Sequence, residues 1–128
     1  MKIIGNHGPG TSPTRTGSGI DTQKVPFGWV QITLEANEEA FLPTVDLFGH
    51  EHVMFQGIFC QALSGSFTVD ATLAPADLAI NPEQAAGASW VSDIAGLVPG
   101  TITKMKNPAT ALRITNGGTK GILVIAGV

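Results

Sequence analysis

Hydrophobic and polar residues alternate along several short segments of this chain, which is the period of a β-strand with one buried face. Residues 27–34 follow the pattern well, since they place Val30, Ile32 and Leu34 on one face with polar side chains between them. We therefore expect a strand here whose apolar face packs into a core.

A hairpin is predicted further along the chain. Residues 52–63 are almost all apolar, which predicts a strand buried on both faces and makes Cys60 within it a small buried hydrophobe. Ser64-Gly65 then predicts a tight turn into a second strand, residues 66–73. The side chains expected to face inward on that second strand are Phe67, Val69, Ala71 and Leu73.

The rest of the chain predicts more strands and little helix. Strands are expected at 88–93, 101–105, 109–115 and 121–126, and residues 116–119 are expected to close a hairpin between the last two. A short helix is expected within 75–87, where Asn81 is the cap, Pro82 the first helical residue and Gly87 the stop. The pattern predicts an all-β fold: an antiparallel β-sandwich or jelly-roll-like barrel of about 7–8 strands, with at most one short helix.

The first residues differ in composition from the rest. Residues 1–26 hold five Gly, three Pro and six Ser or Thr, and too few large apolar residues to offset the entropy of ordering them. We therefore expect an extended N-terminal arm, 1–26, and a β-sandwich domain, 27–128. A neighbouring subunit is the expected support for the arm, with packing on its own body as the alternative. The candidate partner-binding residues are the basic and apolar ones: Lys2, Ile3, Ile4, Arg15, Ile20 and Lys24.

Composition excludes several classes of protein. The chain has 128 residues, 43 % of them hydrophobic and 13 % charged, with a net charge of −3. This balance argues against a disordered chain and against a nucleic-acid binder, which carries clustered basic residues. The longest aliphatic run, 121–128, is far shorter than the roughly 20 residues of a membrane-spanning helix. The N-terminus has no apolar run of signal-peptide length, so we expect synthesis in a reducing compartment.

Charge is unevenly distributed along the chain. The arm carries three bases and one acid, whereas the body carries four bases and nine acids. The four bases of the body, Lys104, Lys106, Arg113 and Lys120, all follow its acids. Such segregation could orient subunits, basic face to acidic face. The alternative is that these are scattered solvated residues.

Candidate catalytic or metal-binding chemistry is sparse. His50 and His52 have the spacing of two ligands on one strand face, and a third ligand would have to come from His7 or a carboxylate. This pair is a weak metal signal, and exposed or hydrogen-bonded histidines are the plainer interpretation. Glu38-Glu39 and Asp46 are expected to be solvated acids in a polar connection rather than a glycosidase pair. We expect a chain that is not an enzyme and that needs no cofactor.

A carbohydrate-binding module is the main alternative among binding proteins. Small β-sandwiches of that kind bind sugars by stacking them on aromatic side chains. Trp29 alternates with inward residues and is a candidate for exposure, whereas Trp90 on a short strand is expected in the core.

The second half of the chain resembles a known group of proteins. It runs from the strand at 67–73 through the strand bearing Trp90 to Asn107-Pro108, residues 109–114 and a glycine-bounded final strand. This rhythm resembles the small β-sandwich virion proteins of tailed bacteriophages, including capsid decoration (cement) proteins and minor head or tail components. The resemblance covers about half the chain and rests on pattern rather than on a diagnostic motif.

That resemblance implies a non-enzymatic virion structural protein. Its sandwich body would sit on the shell while its arm reaches across subunit boundaries and stabilises the head. The implied partners are its own subunits, with a homotrimer favoured, and the major capsid protein or another virion protein, without nucleic acid or membrane. The implied location is the virion, assembled in the host cytoplasm. A minor tail or neck component that mediates attachment is the alternative within the same group.

Overall fold

The structure, a computed structural model, describes residues 1–6, 29–44, 57–81 and 83–127. Within them, nine strands form two antiparallel sheets and one short α-helix follows the fifth strand, so the all-β sandwich prediction is confirmed and no closed barrel is formed. The strands are β1 Lys2–Asn6, β2 Trp29–Leu34, β3 Glu39–Pro43, β4 Ile58–Ser64, β5 Phe67–Thr72, β6 Val91–Leu97, β7 Ile102–Lys104, β8 Ala111–Asn116 and β9 Gly121–Gly127.

The two sheets interleave strands that are distant in sequence. Sheet A has the order β1-β2-β9-β4-β7, and sheet B has the order β3-β8-β5-β6. The penultimate and last strands therefore lie inside the two sheets rather than at their edges. The predicted hairpin of β4 and β5 is wrong: the turn at Ser64-Gly65 is present, but it leads from sheet A to sheet B, where β4 pairs with β9 and β5 pairs with β8. The predicted hairpin at 116–119 is wrong for the same reason, since β8 lies in sheet B and β9 in sheet A.

The core lies between the sheets and consists of the inward residues of both. The predicted inward set of β2 is confirmed, since Val30, Ile32 and Leu34 are fully buried. Phe67 and Val69 on β5 are fully buried and Cys60 on β4 is buried as well, as predicted. The remaining buried hydrophobic residues of this cluster are Ala40, Leu42, Ile58, Ala62, Ala71, Ile94, Leu97, Met105, Leu112, Ile114, Leu123 and Ile125.

Two predictions about the burial of β4 and β5 are also wrong. Leu73 is 69 % exposed, because β5 ends at Thr72 and the alternation stops there. The described part of β4 is not buried on both faces: Ile58 and Cys60 point inward, while Phe59 between them is half-buried on the outer side. An apolar run does not distinguish a strand buried on both faces from one with an apolar exposed face. Residues 52–56 lie outside the described residues.

The predicted helix lies earlier in the chain than its cap signal indicated. Helix α1 is Ala76–Ala79, and the carbonyl of Pro75 accepts hydrogen bonds from the N–H groups of Leu78 at 3.1 Å and Ala79 at 3.0 Å. The side chain of Asn81 does act as a local cap, accepting from the N–H of Glu83 at 3.0 Å. It precedes only the single 3-10 turn Ala85–Gly87, which ends at the predicted glycine.

The prediction for residues 39–43 is also wrong. They were expected to belong to a polar connection, but they form β3 and pair with β8 from Glu39 opposite Thr115 to Pro43 opposite Ala111. The adjacent acids Glu38 and Glu39 concealed the period of this strand, in which Ala40 and Leu42 are buried and the residues on either side of each face outward.

The first residues of the chain also form part of the sheet. Strand β1 pairs antiparallel with β2, from Lys2 opposite Thr33 to Asn6 opposite Trp29. The amino group of Met1 lies 3.2 Å from a carboxylate oxygen of Glu38. This part of the segment 1–26 thus lies against its own chain, and residues 7–26 lie outside the described residues.

A buried amide ties the two sheets together at one end. Asn116, the last residue of β8, is fully buried. Its Nδ2 donates to the carbonyl oxygens of Leu34 at 3.1 Å, Glu35 at 3.2 Å and Thr119 at 2.6 Å, and its Oδ1 accepts from the N–H of Gly118 at 3.1 Å. Since Leu34 ends β2 in sheet A, this side chain links sheet B to sheet A and closes the turn that leads into β9.

Two glycines allow the backbones of the β4–β5 turn and β9 to meet close to this amide. Gly65 has φ +86°, a conformation that side chains disfavour. A Cβ on Gly121 would lie 2.7 Å from the carbonyl oxygen of Ser64 and 2.9 Å from the Cα of Gly65. The approach therefore requires glycine at position 121.

Candidate interaction surface

The outward face of sheet A presents two rows of paired residues, and most of them are apolar. In the first row, Trp29 lies opposite Ala126, which lies opposite Phe59, which lies opposite Lys104. In the second row, the paired residues of β2, β9, β4 and β7 are Gln31, Val124, Gln61 and Ile102. An antiparallel sheet with one solvated face normally places polar residues there.

These rows border a shallow groove of about 360 Å³. Its lining residues are Trp29, Phe59, Cys60, Gln61, Ile102, Val124 and Ala126. Ile102 is 65 % exposed, while Trp29 and Phe59 are half-buried and offer their rings from two strands that flank β9. This surface is therefore a candidate interaction site. We call this surface, including its flanking residues Lys2 and Lys104, the A face.

The candidate partner-binding residues of the N-terminal segment fall into two groups. Lys2, Ile3 and Ile4 lie on β1, at the edge of sheet A, in register with Thr33, Ile32 and Gln31. Lys2 shares the outward side with Thr33, whereas Ile3 points to the core side and is still 39 % exposed. The others, Arg15, Ile20 and Lys24, lie outside the described residues.

The candidate metal ligands of the sequence analysis cannot be placed in this structure. They are His50, His52, His7 and Asp46, and they too lie outside the described residues. Among the residues that are described, no three His, Cys, Asp or Glu side chains come together as a metal site. Over those same ranges, no helix is long and apolar enough to cross a membrane.

The outward face of sheet B carries a charged and aromatic cluster. Arg113 on β8 donates from Nε at 3.0 Å and from Nη2 at 2.8 Å to one carboxylate oxygen of Asp70 on β5. Its guanidinium carbon lies 5.0 Å from the ring centroid of Trp90, whose Nε1 donates to the carbonyl of Ala85 at 2.8 Å. Phe41 completes the cluster, with its ring centroid 6.0 Å from that of Trp90.

This cluster has a structural role. The stacking of Trp90 on Arg113 holds the connection between β5 and β6 against sheet B, and the hydrogen bond from Trp90 to Ala85 joins two parts of that connection. Trp90 therefore lies just before β6, half-buried beneath the guanidinium of Arg113. The prediction that it lies in the core between the sheets is wrong.

A second polar anchor lies at the other edge of sheet B. Asp93 on β6 is buried, and its carboxylate accepts from the N–H of Lys106 at 2.9 Å and from the N–H and Nδ2 of Asn107 at 2.8 and 2.9 Å. Burial, reinforced by the negative charge of Asp93, raises the pKa of the Cys60 thiol to about 12. That thiol is therefore neutral at physiological pH and has the character of a core side chain rather than of a nucleophile.

Sequence reasoning missed most of the A face. It selected Trp29 but not Phe59, Ile102 or Val124. A signal was present: β4 and β9 are apolar at both odd and even positions, although only one set of positions faces the core. That pattern indicates a second apolar surface on these strands, but which of their residues face solvent depends on the position of sheet B.

The bases of the body do not form one face. Lys104 lies on sheet A, and Arg113 lies on the outward side of sheet B, where it is paired with Asp70. Lys120, in the turn before β9, lies 3.6 Å from a carboxylate oxygen of Glu35.

Comparison with known proteins adds little to this geometry. No protein-family model matches the chain, and no curated protein is similar to it. A solved structure with some likeness is that of Drosophila melanogaster CENP-C bound to CAL1, with a TM-score of 0.45 and 15 % sequence identity over 98 % of this chain and 76 % of that one. A likeness of this extent carries no argument about function.

Proposed function

We propose that this chain is a non-enzymatic virion structural protein, a capsid decoration protein that binds between capsid subunits and stabilises the phage head. The observation that carries the proposal is the A face, an apolar sheet surface with Trp29, Phe59 and Ile102 turned outward. A protein whose task is attachment to a shell needs such a surface, and its binding to the assembled state alone stabilises that state by mass action.

The position of β1 is compatible with a role for the N-terminal segment in attachment. β1 pairs with β2 at the edge of sheet A, so that segment is continuous with the A face. In this proposal, residues 1–26 reach neighbouring subunits, the chain forms a homo-oligomer with a trimer favoured, and the partner is the major capsid protein or another virion protein. The location is the virion, after assembly in the host cytoplasm.

Attachment is tested with the full chain and with capsids assembled from the major capsid protein that the same genome encodes. We expect saturable binding, with a copy number that matches a symmetry position of the lattice, and an increase in capsid melting temperature. Capsids that retain no protein after sedimentation at saturating concentration would overturn the proposal.

Light scattering of the full chain and of a chain starting at Val25 tests the role of the segment in self-association. The shorter chain lacks β1, which pairs only with β2 and whose inward Ile3 is 39 % exposed, so we expect it to fold. A trimer that becomes a monomer on truncation, with unchanged far-UV circular dichroism, supports the proposal. An oligomer that survives truncation would show that the segment does not hold the subunits together.

A carbohydrate-binding module is the second candidate, and one observation favours it. Two aromatic rings, Trp29 and Phe59, flank Ala126 across neighbouring strands, and the amides of Gln31 and Gln61 lie one row away. Apolar rings with adjacent amides are suited to stacking and hydrogen bonding a sugar.

Fluorescence titration with a glycan panel separates the two candidates. A Trp90→Phe variant makes Trp29 the one remaining tryptophan, so any change in emission reports on the A face. A saturable change that is lost when Phe59→Ala is added to this variant would favour the carbohydrate-binding module, and a flat titration over the panel would remove it.

A further inference from the structure

The A face combines an apolar centre with charge of one sign. Among the described residues on the outward side of sheet A, the charged ones are Lys2 on β1 and Lys104 on β7, at opposite edges of the sheet. The side chain of Lys104 runs along the backbone, since a Cβ on Gly57 would meet its Cε at 2.7 Å. A surface that binds here gains from apolar side chains at its centre and from carboxylates at its rim.

The opposite side of the molecule has the complementary charge. On sheet B, Arg113 is shared between Asp70 at 2.8 Å and Glu39 at 3.9 Å, which leaves an excess of acid on that face. The connection after β5 adds Asp77, next to the exposed side chain of Leu78. A second copy of this chain is therefore one source of an apolar and acidic surface.

Geometry argues against a second copy as the occupant. The two faces lie on opposite sides of one sandwich, so docking the acidic face of one copy on the A face of the next would repeat along a line. Such a head-to-tail contact does not close and produces an open filament instead of a defined oligomer. Pairing two A faces would bring together surfaces whose charges have the same sign.

We infer that the A face docks an apolar surface of a different protein whose rim carries Asp or Glu side chains. The inference rests on the proposed function, because it names the chemistry that a shell protein would present to this chain. Charge complementarity with Lys104 would speed association, and the apolar contacts of Ile102 and its neighbours would set the dissociation rate.

A charge reversal tests the electrostatic part with the full chain on assembled capsids. We expect Lys104→Glu to lower the association rate about tenfold at low ionic strength. The difference should shrink in 1 M salt, where the screening length falls to about 3 Å. Lys120→Glu is the matched control: it makes the same change in net charge at the far end of β9, beside Glu35, and should leave the rate within about twofold of wild type.

A polar substitution tests the apolar part. Ile102→Thr keeps a β-branched side chain on an exposed strand, and we expect faster dissociation at every salt concentration. The matched control is Val91→Thr on sheet B, where the side chain is 54 % exposed against 65 % for Ile102, and its dissociation rate should equal that of wild type.

The outcomes separate this inference from the proposed function. If wild type does not attach to capsids, both fail. If wild type attaches and Lys104→Glu and Ile102→Thr attach equally well, the proposed function stands and the A face is not the docking surface. If light scattering shows wild type growing into filaments that Lys104→Glu abolishes, the occupant is a second copy and the inference is overturned.

Discussion

Replacing Asn116 with aspartate exchanges one buried amide nitrogen for an oxygen and leaves the shape of the side chain almost unchanged. In the native protein that nitrogen donates to three carbonyl oxygens, those of Leu34, Glu35 and Thr119. A carboxylate at this position has no hydrogen to donate and places a negative charge against three acceptors. We expect Asn116→Asp to loosen the junction between β2, β8 and the turn into β9.

The magnitude follows from the burial of this group. An uncompensated buried charge costs about 3–5 kcal/mol, so we expect a loss of that size in the free energy of unfolding at pH 7. At low pH the carboxyl group is protonated and regains one donor, which reduces the loss to about 1–3 kcal/mol.

The stability lost in Asn116→Asp should increase as pH rises. Burial and the facing carbonyls raise the pKa of the new carboxyl group in the folded state above its unfolded value of about 3.9. The unfolded chain then releases its proton first as pH rises, so the variant loses stability relative to wild type. The difference should grow by about 1.4 kcal/mol per pH unit from about pH 4 up to the raised pKa, and then level off.

Urea unfolding of wild type and variant between pH 4 and pH 7 measures this difference. The control is Asn37→Asp, which makes the same atomic change on an exposed turn residue with φ 61° and should cost less than about 0.5 kcal/mol at every pH. A constant difference between wild type and Asn116→Asp over this range would refute the reasoning, because it would mean that the side chain is solvated or turned away from the carbonyls.

Three further experiments test other parts of the molecule. Gly121→Ala should lower the free energy of unfolding in urea by about 1–3 kcal/mol, because the new Cβ would overlap the β4–β5 turn. Gly87→Ala, with open space around its new Cβ, should lower it by less than about 1 kcal/mol. Equal losses in the two variants would contradict the close approach at Gly121. The Cys60 thiol, with its pKa raised to about 12, should not react with a disulfide reagent at pH 8 until the protein unfolds, and rapid labelling of native protein would show that it is accessible. Arg113→Lys should lower the free energy of unfolding by about 1 kcal/mol and shift the fluorescence emission of Trp90, because an ammonium group cannot replace the stacked, forked guanidinium. An unchanged emission spectrum would show that the guanidinium does not stack on the ring.

The strands that the sequence predicted well are those with a clean period and one buried face. In β2, polar residues separate Val30, Ile32 and Leu34, and the burial follows the alternation directly. The turn at Ser64-Gly65 was recognisable because glycine supplies the positive φ that the turn requires. In these segments, local chemistry and tertiary packing agree.

The predictions from sequence were wrong for strands whose structure depends on pairing with a distant strand. β1 has two adjacent isoleucines and a glycine instead of an alternating pattern, and it becomes a strand because β2 offers a partner. Likewise, β3 pairs with β8, and its one charged residue, Glu39, faces outward. Which side of β4 faces solvent depends on where sheet B lies, so Phe59 could not be assigned to the A face from its own segment.

The strand order has a consequence for the synthesis of this protein. β8 separates β3 from β5 in sheet B, and β9 separates β2 from β4 in sheet A, so each sheet lacks an interior strand until the last residues of the domain have been made. A ribosome-bound chain that ends before residue 111 can pair β1 with β2, β4 with β7 and β5 with β6, but it has no continuous sheet on either side of the core. Folding therefore has to wait until translation of the domain is complete, and pairings between residues this distant in sequence form slowly. Until then the apolar strands are exposed, and the nascent chain depends on chaperones or on rapid release to avoid aggregation.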